Sequence, residues 1–331
     1  MCGIVGTIGN QDVALDIYEA LLALQHRGQE SAGMVTYNSQ FHMRKSMGLV
    51  RDVFKNSHIQ NLRGNVGIGM VRYSTVGTGS FEEAQPFIVN SPYGISLIYN
   101  GTIYNSWELK EELFRLDLRF TNSNNDAEVL LHLFANGLTQ ARGVTLFDRI
   151  RQAVFHVFRR AKGGYSVALL IAGKGLVVFR DPHGIRPLVW GQRLGKPHGE
   201  HLFASENTMF QFLGYEFHRD VEPGEVIFVD LQGTVHSAVV LQQEFRPCVF
   251  EYVYFARPDA LLNGVSVYRS RLRMGQNLAE KIKRVHPNLP IDVVIPIPTT
   301  ASTAALACAH ELGARYTEAL VKNQFIGRTF I

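Results

Sequence analysis

The chain has 331 residues, of which 46% are hydrophobic and 19% are charged, a composition typical of an ordinary soluble chain long enough for two domains. Its net charge of +4 comes from basic residues scattered among acidic ones, without the Lys/Arg block of a nucleic-acid surface. No apolar stretch approaches the roughly 20 residues of a membrane-spanning helix, and the N-terminus lacks the features of a signal peptide. These properties predict a cytoplasmic enzyme that binds neither nucleic acid nor membrane.

In the first 230 residues, short β patterns alternate with helical ones. The patterns predict strands at residues 3–9, 66–73 and 87–99, the last interrupted by a turn at 90–94. They predict helices at residues 11–25, 107–116 and 127–136. A hairpin at residues 165–172 and 176–180 follows, and strands continue to about Asp230. These elements predict a compact mixed fold.

The remaining residues indicate a second domain, with the boundary between Asp230 and Phe250. A helix is predicted at residues 267–285, and the β-branched run 291–297 is of the kind that is buried in a parallel sheet. A helix at residues 302–312, closed by Gly313, follows that run. This order predicts the opening of a doubly wound α/β domain.

Cys2 is the first candidate for chemistry, because removal of Met1 would give it a free α-amine beside its thiol. A thiol with a pKa of about 8.5 needs a base at neutral pH, and an α-amine with a pKa of about 7.7–8.0 supplies one. One residue would then provide nucleophile and base. The other cysteines, Cys248 and Cys308, form no CxxC spacing with it, which argues against a disulfide framework and a self-contained zinc site.

Motifs along the chain decide whether Cys2 is a nucleophile. Its surroundings, Met1-Cys2-Gly3-Ile4-Val5-Gly6 and Gln25-His26-Arg27-Gly28-Gln29-Glu30, resemble the N-terminal-nucleophile glutaminase domain of class II amidotransferases. Further matches follow in order: Arg72-Tyr73-Ser74-Thr75, Glu83-Ala84-Gln85-Pro86-Phe87, Asn100-Gly101, Asp126, Asp181-Pro182-His183-Gly184 and Ala204-Ser205-Glu206. Residues 250–259, Lys322-Asn323 and Gly327-Arg328-Thr329 are similar to the amidophosphoribosyltransferase family in particular.

The resemblance implies a fold and two domains. Residues 2–235 would form an α+β N-terminal-nucleophile hydrolase sandwich, with helices on both faces of two antiparallel sheets. Residues 236–331 would form a linker and the N-terminal part of an α/β type I phosphoribosyltransferase domain, so the chain would end inside that domain.

The resemblance also assigns residues to a glutamine site. Arg72 and Asp126 would bind the carboxylate and the ammonium of zwitterionic glutamine, and a bidentate arginine suits a carboxylate. Asn100 and Gly101 would stabilise the oxyanion formed when Cys2 attacks the side-chain amide. Supporting residues of the pocket would be Arg27, Gly28 and Thr75. An isolated charge is more often a solvated surface group, and Asn-Gly is more often a hairpin turn. His26 and His183 are predicted to be structural.

The implied reaction is the first step of purine biosynthesis, in which ammonia from glutamine passes to phosphoribosyl pyrophosphate and gives 5-phosphoribosylamine, glutamate and pyrophosphate. Lys322 and Arg328 would belong to the loop over the phosphoribosyl substrate. Mg²⁺ would serve that half-reaction with ligands outside the chain, and no metal ligand is predicted within it. Purine nucleotides would act as feedback inhibitors of a homo-oligomer. The alternatives are a stand-alone glutaminase, a regulatory subunit, and another class II amidotransferase such as glucosamine-6-phosphate synthase.

Three features depart from the family pattern. Met70 stands where the family usually has histidine, and Gln324 and Phe325 replace an arginine and a tyrosine of the phosphoribosyl loop. Cys248 resembles a ligand of the iron–sulfur cluster found in some relatives, but we predict no cluster. The chain stops before the family's phosphate-binding loop, so we expect either a fragment of a longer protein or a natural truncation that keeps the glutaminase, and we favour the fragment.

Overall fold

The computed structural model describes residues 2–74, 80–193 and 199–323. The chain divides into two compact units, Met1–Pro247 and Cys248–Ile331. All described residues predicted to bind or cleave glutamine lie in the first unit.

Two antiparallel sheets form the centre of the first unit. Their strands are β1 (Gly3–Ile8), β2 (Ser31–Asn38), β3 (Gln40–Met47), β4 (Val66–Arg72), β5 (Phe87–Val89), β6 (Ile95–Ile103), β7 (Gly163–Ile171), β8 (Gly175–Arg180), β9 (Val189–Arg193), β10 (Glu200–Ala204), β11 (Glu216–Asp220), β12 (Glu225–Asp230) and β13 (Val235–Val239). The first sheet has the order β11-β9-β10-β1-β4-β2-β3, and the second has the order β13-β12-β8-β7-β6-β5. The N-terminal strand β1 is therefore central, between β10 and β4.

Helices cover the outer faces of both sheets. They are α1 (Ala14–Ala23), α2 (Val50–Val53), α3 (Asn56–Asn61), α4 (Ser106–Leu116), α5 (Asp126–Gln140) and α6 (Leu146–Arg160). The helix α1 packs on β1 and β4, whereas α5 packs on β5 and β6 and α6 on β12.

Alternation along the strands separates the layers, because successive side chains of a strand point to opposite faces. In β4, Ile68 joins the apolar cluster between the sheets, whereas Gly69 lies against Ile17 of α1. In β7, Ala168 joins the same cluster, whereas Leu169 joins the cluster that includes α5 and α6. Helices therefore lie on both faces of two antiparallel sheets, and the predicted α+β sandwich is confirmed.

The second unit contains two helices with short strands. Its elements are a π-helical turn Glu251–Phe255, β14 (Leu261–Leu262), β15 (Val265–Ser266), α7 (Val267–Val285), β16 (Val293–Val294), α8 (Ser302–Leu312) and β17 (Arg315–Tyr316). The strands β16 and β17 are parallel and are joined through α8, as in an α/β domain. As predicted, α8 ends at Gly313, which adopts the left-handed conformation at φ 69°.

The expectation of a buried strand over residues 291–297 is wrong. Only Val293 and Val294 form a strand, and Ile295 and Ile297 are 44% and 68% exposed. A parallel strand becomes fully buried when both faces of its sheet are covered. Among the described residues β16 pairs with β17 alone, so its neighbours stay exposed.

Two further features of the first unit differ from the sequence prediction. The helix α6 was not predicted, although Thr145 caps it and Ile150, Val154 and Val157 form a buried stripe at helical spacing. The strand β6 continues beyond Tyr99 to Ile103, so it contains Asn100 and Gly101.

The predicted domain boundary at residues 235/236 falls at the start of β13, which pairs with β12 as far as Val239. The following segment stays on the first unit, because Gln243 N donates to Pro182 O over 3.0 Å and Arg246 N donates to His183 O over 2.9 Å. The first compact unit accordingly extends to Pro247. The assignment of the units to a glutaminase and a phosphoribosyltransferase domain stays a prediction.

Candidate active site

Cys2 lies directly before β1, and contacts from both sheets hold it. Its main-chain nitrogen donates a hydrogen bond to Oδ1 of Asn100 in β6 over 3.0 Å. Its Sγ lies 3.8 Å from the carbonyl oxygen of Tyr73, which follows β4. Ser205 holds the start of β1, because Ile4 N donates to Ser205 Oγ over 3.0 Å and Ser205 N donates to Ile4 O over 3.1 Å. The Cys2 side chain is buried, so the nucleophile candidate is held within the sandwich.

Asn100 combines two hydrogen-bonding functions at this point. Its side chain is fully buried, and Oδ1 is taken by the Cys2 nitrogen. Its Nδ2 has no hydrogen-bond partner among the residues that the structure describes. Buried donors are seldom left unpaired in folded proteins, so such a donor calls for an explanation. An oxyanion formed beside Cys2 would provide its partner.

Gly101 is required by strand packing. A Cβ at this position would lie 2.4 Å from the carbonyl oxygen of Gly164 and 2.6 Å from Cβ of Tyr165 in β7. Because Asn100 and Gly101 pair with Ser166 and Tyr165 along β6, the alternative of a hairpin turn at Asn-Gly is wrong.

Arg27 holds the main chain of Cys2 through a hydrogen bond. Its guanidinium is fully buried, and Nε donates to the Cys2 carbonyl oxygen over 3.0 Å while Nη1 donates to Glu206 Oε1 over 2.5 Å. His26 Nε2 lies 2.8 Å from the same carboxylate oxygen. Burial would raise the pKa of Glu206, but the charge of Arg27 and the hydrogen bond with His26 outweigh it and lower the pKa from 4.5 to about 2. The predicted structural role of His26 agrees with this geometry.

Gly28 lets the turn Gln25–Arg27 lie directly against β4. A Cβ on Gly28 would come within 2.6 Å of the carbonyl carbons of Val71 and Arg72. Any larger residue would therefore push the turn away from the strand that carries Arg72.

Arg72, the predicted partner of the glutamine carboxylate, already pairs with an internal carboxylate. Its Nη2 lies 3.0 Å from Oε2 of Glu83, and both side chains are buried. The guanidinium has five donors, more than one carboxylate occupies. The structure thus places Arg72 at the end of β4, one residue before the Tyr73 carbonyl that contacts the Cys2 thiol.

Asp126, the predicted partner of the glutamine ammonium, is the first residue of α5. Its Oδ2 accepts hydrogen bonds from the Tyr99 hydroxyl over 2.7 Å and from Ile103 N over 2.9 Å. Burial raises the pKa of this carboxyl above 3.8, and those two hydrogen bonds offset part of the rise. Burial, followed by the charge of Asp126, raises the pKa of Tyr99 well above 10, with a smaller electrostatic contribution from Cys2.

Thr75, Lys322 and Arg328 are the other predicted site residues. Lys322 is exposed in the second unit, and Thr75 and Arg328, like Gln324 and Phe325, lie outside the described residues. Met70 is fully buried in the apolar cluster that includes Cys2, so a thioether replaces the usual histidine there. Across residues 2–74, 80–193 and 199–323, no group of three or more His, Cys, Asp or Glu side chains could hold a metal ion. In the same residues, no helix is long and apolar enough to span a membrane.

Comparison with known proteins bears on the family of this chain. A family model described as a glutamine amidotransferase domain matches residues 71–211. An amidophosphoribosyltransferase from Pseudomonas aeruginosa is 48% identical over 334 aligned positions, which cover 100% of this chain and 67% of that protein. The chain belongs to the amidophosphoribosyltransferase family. The family prediction is therefore confirmed.

Other amidophosphoribosyltransferases support the same assignment. The Escherichia coli protein is 48% identical, with 100% of this chain and 66% of that protein covered. A solved glutamine phosphoribosylpyrophosphate amidotransferase from B. subtilis, in complex with ADP and GMP, matches with a TM-score of 0.84 and 32% identity over 100% of this chain and 68% of that one. A structure described as the allosteric regulatory enzyme of purine biosynthesis matches with a TM-score of 0.86 and 33% identity, at the same coverage.

Around the candidate site of this amidophosphoribosyltransferase-family chain, sequence reasoning missed four residues that contact the predicted ones or the segments carrying them: Glu83, Tyr99, Asn125 and Glu206. Glu83 and Glu206 lie inside matched motifs, and their carboxylates were a signal that the buried arginines needed partners. Tyr99 and Asn125 directly precede Asn100 and Asp126 in the sequence. No spacing rule links them to a site, because their roles depend on contacts across the fold.

Proposed function

We propose that this chain hydrolyses glutamine at Cys2 and, in the complete enzyme, supplies the ammonia to phosphoribosyl pyrophosphate. The products are 5-phosphoribosylamine, glutamate and pyrophosphate, in the first step of purine biosynthesis. The observation that carries the proposal is the geometry of Asn100, whose Oδ1 holds the Cys2 nitrogen while its buried Nδ2 has no partner among the described residues.

The proposed chemistry starts from mature protein without Met1. The Cys2 nitrogen, now an α-amine oriented by Asn100 Oδ1, takes the thiol proton, and the thiolate attacks the side-chain amide carbon of glutamine. Asn100 Nδ2 and the main-chain N–H of Gly101 donate to the oxyanion. The leaving ammonia receives its proton from the α-ammonium, and water then hydrolyses the thioester to glutamate.

Two charged side chains are proposed to bind and orient glutamine. Arg72 binds the α-carboxylate and Asp126 binds the α-ammonium, so a free amino acid satisfies both. Both side chains are buried, which strengthens these contacts because neighbouring water is excluded. Arg27 and Gly28 support the nucleophile and the adjoining strand, and Thr75 completes the predicted pocket.

The transfer half of the proposal rests on the family and on the second unit. Lys322 and Arg328 are proposed to contact the phosphoribosyl substrate. Mg²⁺ is proposed for that half-reaction with ligands outside this chain, and no group of three or more His, Cys, Asp or Glu among the described residues could hold it. Feedback by purine nucleotides, homo-oligomerisation and a cytoplasmic location complete the proposal, and the B. subtilis relative solved with ADP and GMP supports the nucleotide part.

The proposal is tested by measuring glutamate release from glutamine. Cys2→Ala should abolish it. Asn100→Asp keeps an acceptor for the Cys2 nitrogen but replaces the Nδ2 donor with a negative oxygen, so kcat/KM should fall by at least about 10²–10³. The matched control Asn124→Asp makes the same change at an exposed position and should leave the rate unchanged. Full activity in Cys2→Ala would refute glutamine hydrolysis at this residue.

A further inference from the structure

We infer that Glu83 and Asn125 are positioning residues that hold the two charge-recognising groups, Arg72 and Asp126, at a fixed separation. The inference rests on the proposed function, since it concerns how that site binds the α-carboxylate and the α-ammonium of glutamine. These two residues form, with Arg72 and Asp126, a continuous buried connection that we call the brace.

The first link of the brace is the ion pair between Arg72 and Glu83. Arg72 Nη2 lies 3.0 Å from Glu83 Oε2, and the two side chains are 4% and 3% exposed. Loss of the Glu83 carboxylate would strongly destabilise the buried guanidinium of Arg72, so such a pair keeps its geometry. Glu83 thereby fixes the plane in which Arg72 presents its remaining donors.

The second link joins Glu83 to the start of α5. Asn125 Nδ2 donates to the carbonyl oxygen of Glu83 over 2.8 Å, and Asn125 Oδ1 accepts from Ala127 N over 3.0 Å. The same amide therefore caps the helix and holds the main chain of Glu83. Asn125 is 3% exposed, so solvent does not compete for these bonds.

The last link is covalent, because Asp126 follows Asn125 directly. The Asp126 carboxylate is held in turn by β6, because Tyr99 and Ile103 both donate hydrogen bonds to its Oδ2. The brace thus runs from the end of β4 through Glu83 and Asn125 to the first residue of α5. Neither Glu83 nor Asn125 needs to contact glutamine for this function.

Fixed separation matters because the two charges of an α-amino acid are themselves held close together by covalent bonds. A site that offers its cation and anion already at the matching separation loses less entropy when the substrate binds. Loosening the brace should weaken glutamine binding and leave the Cys2 chemistry intact, since Cys2 is held by Asn100 and Arg27.

Two variants of the full chain test the brace. Glu83→Gln removes the charge of Glu83 but keeps its shape, and Asn125→Ser keeps a helix cap but loses the donor to Glu83 O. In both, the KM for glutamine should rise by about ten-fold or more while kcat changes by less than about three-fold. Glu82→Gln, the same substitution at the exposed neighbouring residue, is the control and should match wild type.

Covalent labelling of Cys2 separates positioning from a general structural role. The label is followed on the N-terminal peptide by mass spectrometry. Labelling by 6-diazo-5-oxo-norleucine, which carries the amino-acid charges, should slow by about ten-fold in both variants. Labelling by iodoacetamide, which lacks those charges, should keep the wild-type rate.

Each outcome decides a different point. Unchanged glutamine KM in Asn125→Ser would overturn the brace, and this variant decides if Glu83→Gln fails to fold. Equal slowing of both reagents would also overturn it, because the loss would then be structural. Wild-type chain that neither hydrolyses glutamine nor reacts with the diazo reagent would refute the proposed function itself.

Discussion

Individual side chains in the candidate site depend on partners that are distant in sequence. Arg27 and Glu206 are 179 positions apart, and Cys2 and Asn100 are 98 apart, yet both pairs are in hydrogen-bonding contact. Motif order is enough to propose a nucleophile, arginines and an aspartate for the site, because their chemistry suits glutamine. Their partners cannot, because a sequence pattern does not state which carboxylate a buried arginine will meet.

Tyr99 contributes to the pKa of Asp126, and this contribution gives a prediction for pH dependence. Burial raises the pKa of Asp126, and the hydrogen bond from the Tyr99 hydroxyl lowers it. Only the carboxylate binds an ammonium, so kcat/KM for glutamine should fall as the pH drops through this pKa. Tyr99→Phe removes a lowering contribution, so the acid limb of the pH profile of kcat/KM should move to higher pH.

The control is Tyr165→Phe, which removes another buried hydroxyl, one bonded to Ala161 O and not to Asp126. Its acid limb should coincide with that of wild type. A Tyr99→Phe profile that shifts to lower pH, or does not shift, would contradict the proposed role of the Asp126 carboxylate.

At the scale of elements, the sequence identifies strands and helices well where one pattern dominates. The hairpin of β7 and β8 and the helices α4, α7 and α8 lie close to their predicted positions. The β2–β3 hairpin and α6 were missed. Whether Asn-Gly is a turn or part of β6 also depends on pairing with β7, which only the folded chain shows.

Glu206 ties the turn Gln25–Arg27 to the segment after β10, and its pKa predicts how this tie depends on pH. In the folded protein the pKa of the Glu206 carboxyl is about 2, below the ordinary glutamate value of 4.5. The stabilisation that the Glu206 carboxylate gives to the fold is therefore complete when the pH is above the ordinary pKa of 4.5. It is lost as the pH falls toward the folded pKa of about 2. Urea unfolding should show that the stability difference between wild type and Glu206→Gln narrows by about 2 kcal/mol from about pH 6 to about pH 3.

The sign of that change is the critical result. Glu206→Gln leaves the buried Arg27 without its counter-charge, so it should be less stable than wild type near neutral pH. The exposed variant Glu82→Gln serves as the reference for a carboxylate outside the core. A stability difference that stays constant or widens in acid would show that the Glu206 carboxylate does not stabilise the fold.

At the scale of the whole molecule, the chain length and the order of predicted elements indicated two domains, and the chain does form two compact units. The position of the boundary was harder to predict. Residues 236–247 combine the apolar run 238–241 with polar residues and do not mark a boundary by their pattern, but β13 and the bonds of Gln243 and Arg246 attach them to the first unit. Contacts of this kind become visible only when the partner segments, β12 and residues 181–183, are in place.

Hydrolysis of glutamine by shortened versions of the chain tests this boundary. Both apolar clusters and all described glutamine-site residues lie in residues 2–247, so a version of the chain that ends at Pro247 should fold and hydrolyse glutamine, with kcat and KM within about three-fold of the full chain. A version that ends at Val235 removes the pairing of β13 and exposes the edge of β12. It should unfold at lower urea concentration than the version ending at Pro247.

Glutamate release and urea unfolding of both versions, compared with the full chain, provide the measurement. Loss of hydrolysis in the version ending at Pro247, with activity kept in the full chain, would show that the second unit is needed for the glutamine site.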